Sequence, residues 1–131
     1  MIVDSSVWVE AFSHELSEKS SVLVNALHSG QMLWITLQIY QEVLQGAKDA
    51  AQYMRLQQQM SSLPCWKSDD DANLHAQAAM LYARGRWQGI TIRSPNDCLI
   101  AAAALEAKMP VLTLDKDFTA IARIEPKLKL V

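Results

Sequence analysis

Four carboxylates far apart in the chain are the residues best suited to chemistry: Asp4, Glu42, Asp97 and Asp115. Asp4 ends the apolar run Met1-Ile2-Val3, and Asp115 ends Val111-Leu112-Thr113-Leu114. Glu42 borders the apolar stripe of Leu37, Ile39, Tyr40, Val43, Leu44 and Ala47, spaced as on one helical face. Asp97 follows Ser94-Pro95-Asn96. Each has a plain structural explanation: Asp4 as a helix N-cap, Asp97 as the acid of a capping box with Ser94, Glu42 as a boundary glutamate. Taken together they place four acids around one end of a sheet, where ligands of open α/β proteins collect. Like charges at close range raise each other's pKa, and a hard divalent cation relieves that conflict. Oxygen donors of this kind suit Mg²⁺, with Mn²⁺ as a substitute. The matching chemistry is phosphodiester hydrolysis, in which such a cation acidifies water and draws charge from the phosphoryl oxygens.

Competing chemistries lack their residues. There is no Ser-His-Asp set, glycine-rich phosphate loop or reactive-cysteine context, and His14, His28 and His75 have no zinc-ligand spacing. The run Ser68-Asp69-Asp70-Asp71 reads as a capped, dipole-matched helix start. Arg84, Arg86 and Trp87 suit either a phosphate-and-base contact or a helix C-terminus with cations placed for its dipole.

The elements that must position these residues alternate in type. Apolar runs predict short strands at residues 1–3, 32–35, 63–66, 109–114 and 128–131. Helices are expected over residues 5–12, from 22 to a stop at Gly30, over 37–47 after the cap Thr36, over 48–61, from Ser68 through Tyr82, and from the cap Ser94 onward. Residues 14–21 read as a polar turn, 83–89 as a loop and 120–123 as a short helical turn. The helix after Asp97, Cys98-Leu99-Ile100-Ala101-Ala102-Ala103-Ala104-Leu105, is apolar nearly all round and must be central. The Met-containing helix 48–61 suits a partner surface or a solvated outer position. This is an α/β layered pattern with a mainly parallel central sheet of four or five short strands flanked by helices.

With 131 residues, half of them apolar, the chain suits one domain with a real core. A formal charge of −2 supplies no global basic field, so any nucleic-acid contact must be local. Cys65 and Cys98 read as free thiols in a reducing compartment. No leader pattern precedes the first strand, and no apolar run approaches the ~20 residues that span a bilayer. A cytoplasmic location without membrane association is expected.

Four stretches carry a family resemblance in the family's own order: Ile2-Val3-Asp4-Ser5-Ser6-Val7-Trp8, Glu42 in its helix, Pro95-Asn96-Asp97-Cys98-Leu99-Ile100-Ala101-Ala102, and Val111-Leu112-Thr113-Leu114-Asp115-Lys116-Asp117-Phe118. The sequence resembles the PIN-domain proteins, and within them the VapC-type toxin ribonucleases of toxin–antitoxin pairs. The resemblance implies one three-layer PIN domain over residues 1–131. It implies metal-binding roles for Asp4, Glu42, Asp97 and Asp115, with Asp117 contributing directly or through water. Ser6, Thr113 and Asn96 would orient the acids. It further implies endonucleolytic cleavage of RNA, a homodimer and a cognate antitoxin. Arg84, Arg86 and Lys116 are candidates for the RNA backbone. The alternatives are a PIN nuclease of RNA processing or DNA flaps and, in another class, a receiver-like signalling domain. Against the latter, Ser5 and Ser6 stand where paired acids belong, and Lys116 lies between two acids.

Overall fold

Ile2, Val3, Val111 and Leu112 are all inaccessible to solvent. Their runs are continuously apolar because a parallel sheet is covered on both faces. In the computed structural model, which describes every residue except His14 and Glu15, they form β1 (Ile2–Val3) and β2 (Val111–Leu112). The strands pair in parallel, with Ile2 opposite Val111 and Val3 opposite Leu112. The expected four or five strands are therefore reduced to two. The other strand-like segments contribute single parallel bridges: Trp34 to Ile2, Ile35 to Cys65 and Leu130 to Val111. Local chemistry keeps them short. Thr36 caps a helix directly after Ile35, accepting the Ile39 N–H at 3.3 Å. Pro64 has no N–H to give, although its carbonyl accepts from the Ile35 amide at 3.1 Å.

Seven helices lie among the described residues: α1 (Ser5–Phe12), α2 (Glu18–His28), α3 (Leu37–Gln45), α4 (Ala50–Ser61), α5 (Asp71–Trp87), α6 (Pro95–Ala107) and α7 (Lys116–Ile124). The turn expected over residues 14–21 falls partly on His14 and Glu15, outside the described residues, and from Glu18 the chain is already helical behind the cap Ser17. α6 is the central helix, with Asp97, Cys98, Ile100 and Ala101 to Ala104 buried. It packs against α3, α5 and α7, while α1 packs on α2 and α3. Its alanines admit those neighbours, and Cys98 is a buried free thiol; Cys65 is free and half-buried.

Two helices outrun their expected limits. α5 passes through Gly85 to Trp87, then closes as a Schellman motif. Gly89 stands at φ +72°, and the Ile90 N–H returns to the Gly85 carbonyl at 2.8 Å. Gly85 is a packing residue: a methyl group there would lie 2.9 Å from Ile124 Cδ1 and 3.1 Å from the Ile90 carbonyl oxygen. α5 begins on Asp70, which accepts the Asn73 N–H at 3.0 Å, so the expected cap Ser68 lies outside the helix. α7 extends far beyond residues 120–123, because Asp115 caps it and Phe118, Ile121 and Ile124 bury one stripe.

Gly85→Ala should therefore destabilise the fold by about 1–3 kcal/mol through overpacking. Gly46→Ala, at φ −82° with no heavy atom closer than 3.5 Å, should be neutral or stabilising by up to about 1 kcal/mol. Urea unfolding of the two variants reads the contrast, and equal effects would refute the packing role of Gly85.

Candidate metal centre

Both strands end at one edge of the sheet and deliver acids there. Asp4 leaves β1 and is 2% exposed; Thr113 and Asp115 leave β2. Asp4 occupies the N-cap position of α1, and its carbonyl accepts the Val7 N–H at 3.1 Å, yet its side chain caps nothing. The carboxylate instead turns toward β2. Its Oδ2 accepts from the Ser6 hydroxyl at 2.6 Å and the Thr113 hydroxyl at 3.0 Å. Those hydroxyls are fixed in turn, Ser6 Oγ by the Leu114 N–H at 3.1 Å and Thr113 Oγ1 by the Asp115 N–H at 2.9 Å. Asp4 Oδ1 is buried and has no hydrogen-bond partner.

The expected capping box at α6 does not form. Asp97 sits at N3, but the Ser94 N–H that it would accept is taken by Asp117 Oδ2 at 3.0 Å, beside the Arg93 N–H at 3.1 Å. The Ser94 side chain caps nothing either. Asp97 is thus released from the helix end, and its Oδ2 is buried without a partner. Carboxylate oxygens of Asp97, Asp115 and Asp117 lie within 4.8 Å of one another. Asp115 Oδ1 accepts the Asp117 N–H at 2.9 Å.

Glu42 reaches the same end from α3 and is half-buried. Its Oε2 accepts from the Ser5 hydroxyl at 2.7 Å, and its Oε1 from the Gln38 amide at 3.0 Å. Its charge is one of the influences that raise the Asp4 pKa, behind burial. Asp97 is displaced further. Burial first, then the charges of Asp115, Asp4 and Asp117, push its carboxyl to about 8. The Cys98 thiol beside it is pushed to about 11, chiefly by burial, and is no nucleophile.

The remaining candidates divide. Lys116 is exposed between Asp115 and Asp117. Arg84 is committed elsewhere: its guanidinium donates to Glu125 Oε2 at 3.1 Å and to the Ile124 carbonyl at 2.7 Å. That is the far end of α7, about 12 Å from the acids at ~1.5 Å per residue. Arg86 is exposed on α5, and the neighbouring Trp87 is 73% exposed. Asn96 is exposed and makes no side-chain hydrogen bond to another described residue, so it does not orient Asp97 as expected. Sequence reading missed Ser5 and Gln38, which hold Glu42, and Arg93, whose Nε lies 3.5 Å from Asp117 Oδ1. Gln38 stands four residues before Glu42 on one helix, a legible signal; the other two pairings are tertiary.

The donor set tests well against a divalent cation. Every converging group is a hard oxygen, and among the described residues two buried oxygens lack partners and no cation neutralises Asp97. Residues 1–124 match the PIN domain family, and the chain belongs to that family. It is 36% identical over 126 residues to VapC ribonuclease Mb1587 of Mycobacterium bovis, covering 95% of this chain and 92% of that protein. The same figures hold for ribonuclease VapC11 of Mycobacterium tuberculosis. The fold is shared with VapBC2 from Rickettsia felis, solved bound to a DNA fragment from its promoter, at TM-score 0.75 and 19% identity over 99% of this chain and 96% of that one. It is also shared with VapBC-1 from nontypeable Haemophilus influenzae, at TM-score 0.75 and 17% identity over 99% and 95%.

The raised Asp97 pKa gives the metal-free protein a defined pH response. An unfolded chain releases this proton near the ordinary 3.8, whereas the folded chain holds it to about 8. Between those values the folded state binds more protons, so its stability contribution is complete at the acid end and falls as pH rises toward 8. Melting in chelator should show that decline, and Asp97→Asn should flatten it. An unchanged slope would assign the proton to another carboxylate. Because a bound cation must displace the proton, Mn²⁺ affinity should rise up to about tenfold per pH unit below 8, as read by calorimetry.

Proposed function

We propose that this chain is a Mg²⁺-dependent endoribonuclease, the toxin of a toxin–antitoxin pair, acting as one PIN domain in the cytoplasm. The observation that carries the metal site is the buried, unpartnered oxygen of Asp97 clustered with Asp115 and Asp117, with a second such oxygen on Asp4, whose charge Asp97 feels. The ribonuclease reading draws on the names of the VapC relatives, and the antitoxin partner on the VapBC assemblies that share the fold. A homodimer is part of the proposal. Among the described residues no helix is long and apolar enough to cross a membrane.

In this reading Asp4, Asp97 and Asp115 hold Mg²⁺ directly, with Mn²⁺ able to replace it. Glu42, fixed by Ser5 and Gln38, completes the acidic wall. Asp115 is favoured over Asp117 as a direct ligand because Asp117 Oδ2 is occupied by two backbone amides. Ser6 and Thr113 aim Asp4 by donating to Oδ2, which leaves Oδ1 without a protein partner. Bound Mg²⁺ supplies an acidified water and charge stabilisation at the phosphoryl oxygens. Lys116 and exposed Arg86 remain candidate backbone contacts; Arg84 is withdrawn from that role by its ion pair with Glu125.

Purified protein should cut RNA with Mg²⁺ or Mn²⁺ and stop with chelator. Asp4→Ala and Asp97→Asn should abolish cleavage while circular dichroism stays native. Thr113→Val removes the hydroxyl that supports Asp4 and accepts the Asp115 N–H, and should cost about 10–100-fold. Wild type and Asp4→Ala expressed side by side, with sequencing of RNA ends, would show the cut sites. Equal toxicity of the two would sink the nuclease reading.

Asp117→Ala should cost about 1–3 kcal/mol of stability by orphaning two amides, whereas Asp115→Asn should weaken Mn²⁺ binding with less loss of stability. Paired urea unfolding and calorimetry measure both, and the reverse pattern would exchange the two roles.

A further inference from the structure

A site built from acids repels a polyanion, so the substrate's phosphates need a cation at the rim. Arg84 cannot serve, since both its guanidinium bonds lie at the far end of α7. Arg93 stands at the rim itself. Its backbone N–H is held by Asp117 Oδ2 at 3.1 Å, which fixes where its side chain starts. Its Nε lies 3.5 Å from Asp117 Oδ1, and the side chain is 74% exposed.

We propose that Arg93 is a phosphate-binding residue of the acid centre, receiving a non-bridging oxygen pair of the RNA backbone beside the scissile position. This rests on the nuclease reading above. The geometry favours recognition over a purely structural role. The loop before α6 is secured by the two amides on Asp117 Oδ2, so the guanidinium is not required to hold it. The Nε contact orients the head group, and the 74% exposed side chain makes no hydrogen bond to another described residue that would occupy its planar fork, which suits phosphate. Tethering to a carboxylate also limits the entropy lost when RNA binds. Lys116, one residue before Asp117, adds a second positive charge to the same rim but lacks the fork.

The test is steady-state cleavage of a short single-stranded RNA across a salt titration, for wild type, Arg93→Gln and Arg93→Lys. Arg93→Gln should raise KM about tenfold or more, the loss expected for a charge-assisted contact, with a smaller change in kcat. The slope of log KM against log salt should fall by about 0.7, one phosphate contact on a single strand. Arg93→Lys should keep the slope and recover only part of the KM. Melting temperature and Mn²⁺ affinity should stay at wild-type values in both. The proposal is overturned if Arg93→Gln leaves KM and its salt slope unchanged while wild type cleaves, or if Mn²⁺ affinity falls in step with activity, which would make Arg93 a positioning residue for Asp117. If Arg93→Gln fails to fold, Arg93→Lys with unchanged KM overturns it equally. A wild type that cuts no RNA rejects the nuclease reading and this inference with it.

Discussion

Burial of carboxylates beside one another is the constraint on which the functional end of the molecule depends. Asp97 keeps its proton to about 8 because burial and three neighbouring acids all oppose its charge. Asp4 is shifted in the same direction, with Glu42 among the causes. Each unpartnered buried oxygen costs on the order of 1–3 kcal/mol relative to a satisfied one. A fold selected only for stability would have given Asp97 the Ser94 amide. The parallel strands instead converge their C-terminal ends on the acids, and the core carries the strain elsewhere.

Apart from the Arg93 contact at Asp117, the supports are neutral. Asp4 is aimed by two hydroxyls, each positioned by a backbone amide of the segment after β2. Asp117 is held by amides of the loop before α6, and Glu42 by a hydroxyl and a carboxamide. Dipoles of this kind fix orientation without cancelling negative charge, whereas an arginine inside the cluster would have satisfied the acids and competed with a cation. Arg93 reaches only the outer edge of the cluster, at Asp117, and half-buried Arg84 is spent at the far end of α7, where it neutralises Glu125 and donates to the Ile124 carbonyl. Separating the two ends of α7 in this way keeps its stabilising ion pair from draining the charge of the other end.

Helices were legible where a cap and a stripe agreed, as in α3 behind Thr36, and the central position of α6 followed from its unbroken apolar run. Strand number was not legible. An apolar tetrapeptide such as Met32-Leu33-Trp34-Ile35 looks the same whether it forms a ladder or a single bridge, and the next helix cap decides. The end of α5 was obscured because Gly85 reads as a breaker, while its actual role is to admit Ile124 and Ile92. The acids of the site were legible by type and by their places at strand ends. Their support was not: Asp97 had a satisfactory local partner in Ser94, and only the approach of α7 shows that Asp117 takes that amide first.

That substitution of one acid for another explains how Asp115 and Asp117, two residues apart, can differ in role. Asp115 stands at the N-cap of α7 and spends one oxygen on the Asp117 amide, leaving the other uncommitted to the helix. Asp117 lies inside the first turn, where its side chain faces the loop before α6 rather than its own helix end. It ties α7 to α6 across the site, so the distance between Asp97 and Asp115 is set by a bond that neither of them makes. Any change at Asp117 therefore acts on geometry before it acts on charge, and a carboxamide, which retains one accepting oxygen, disturbs that geometry less than an alanine does.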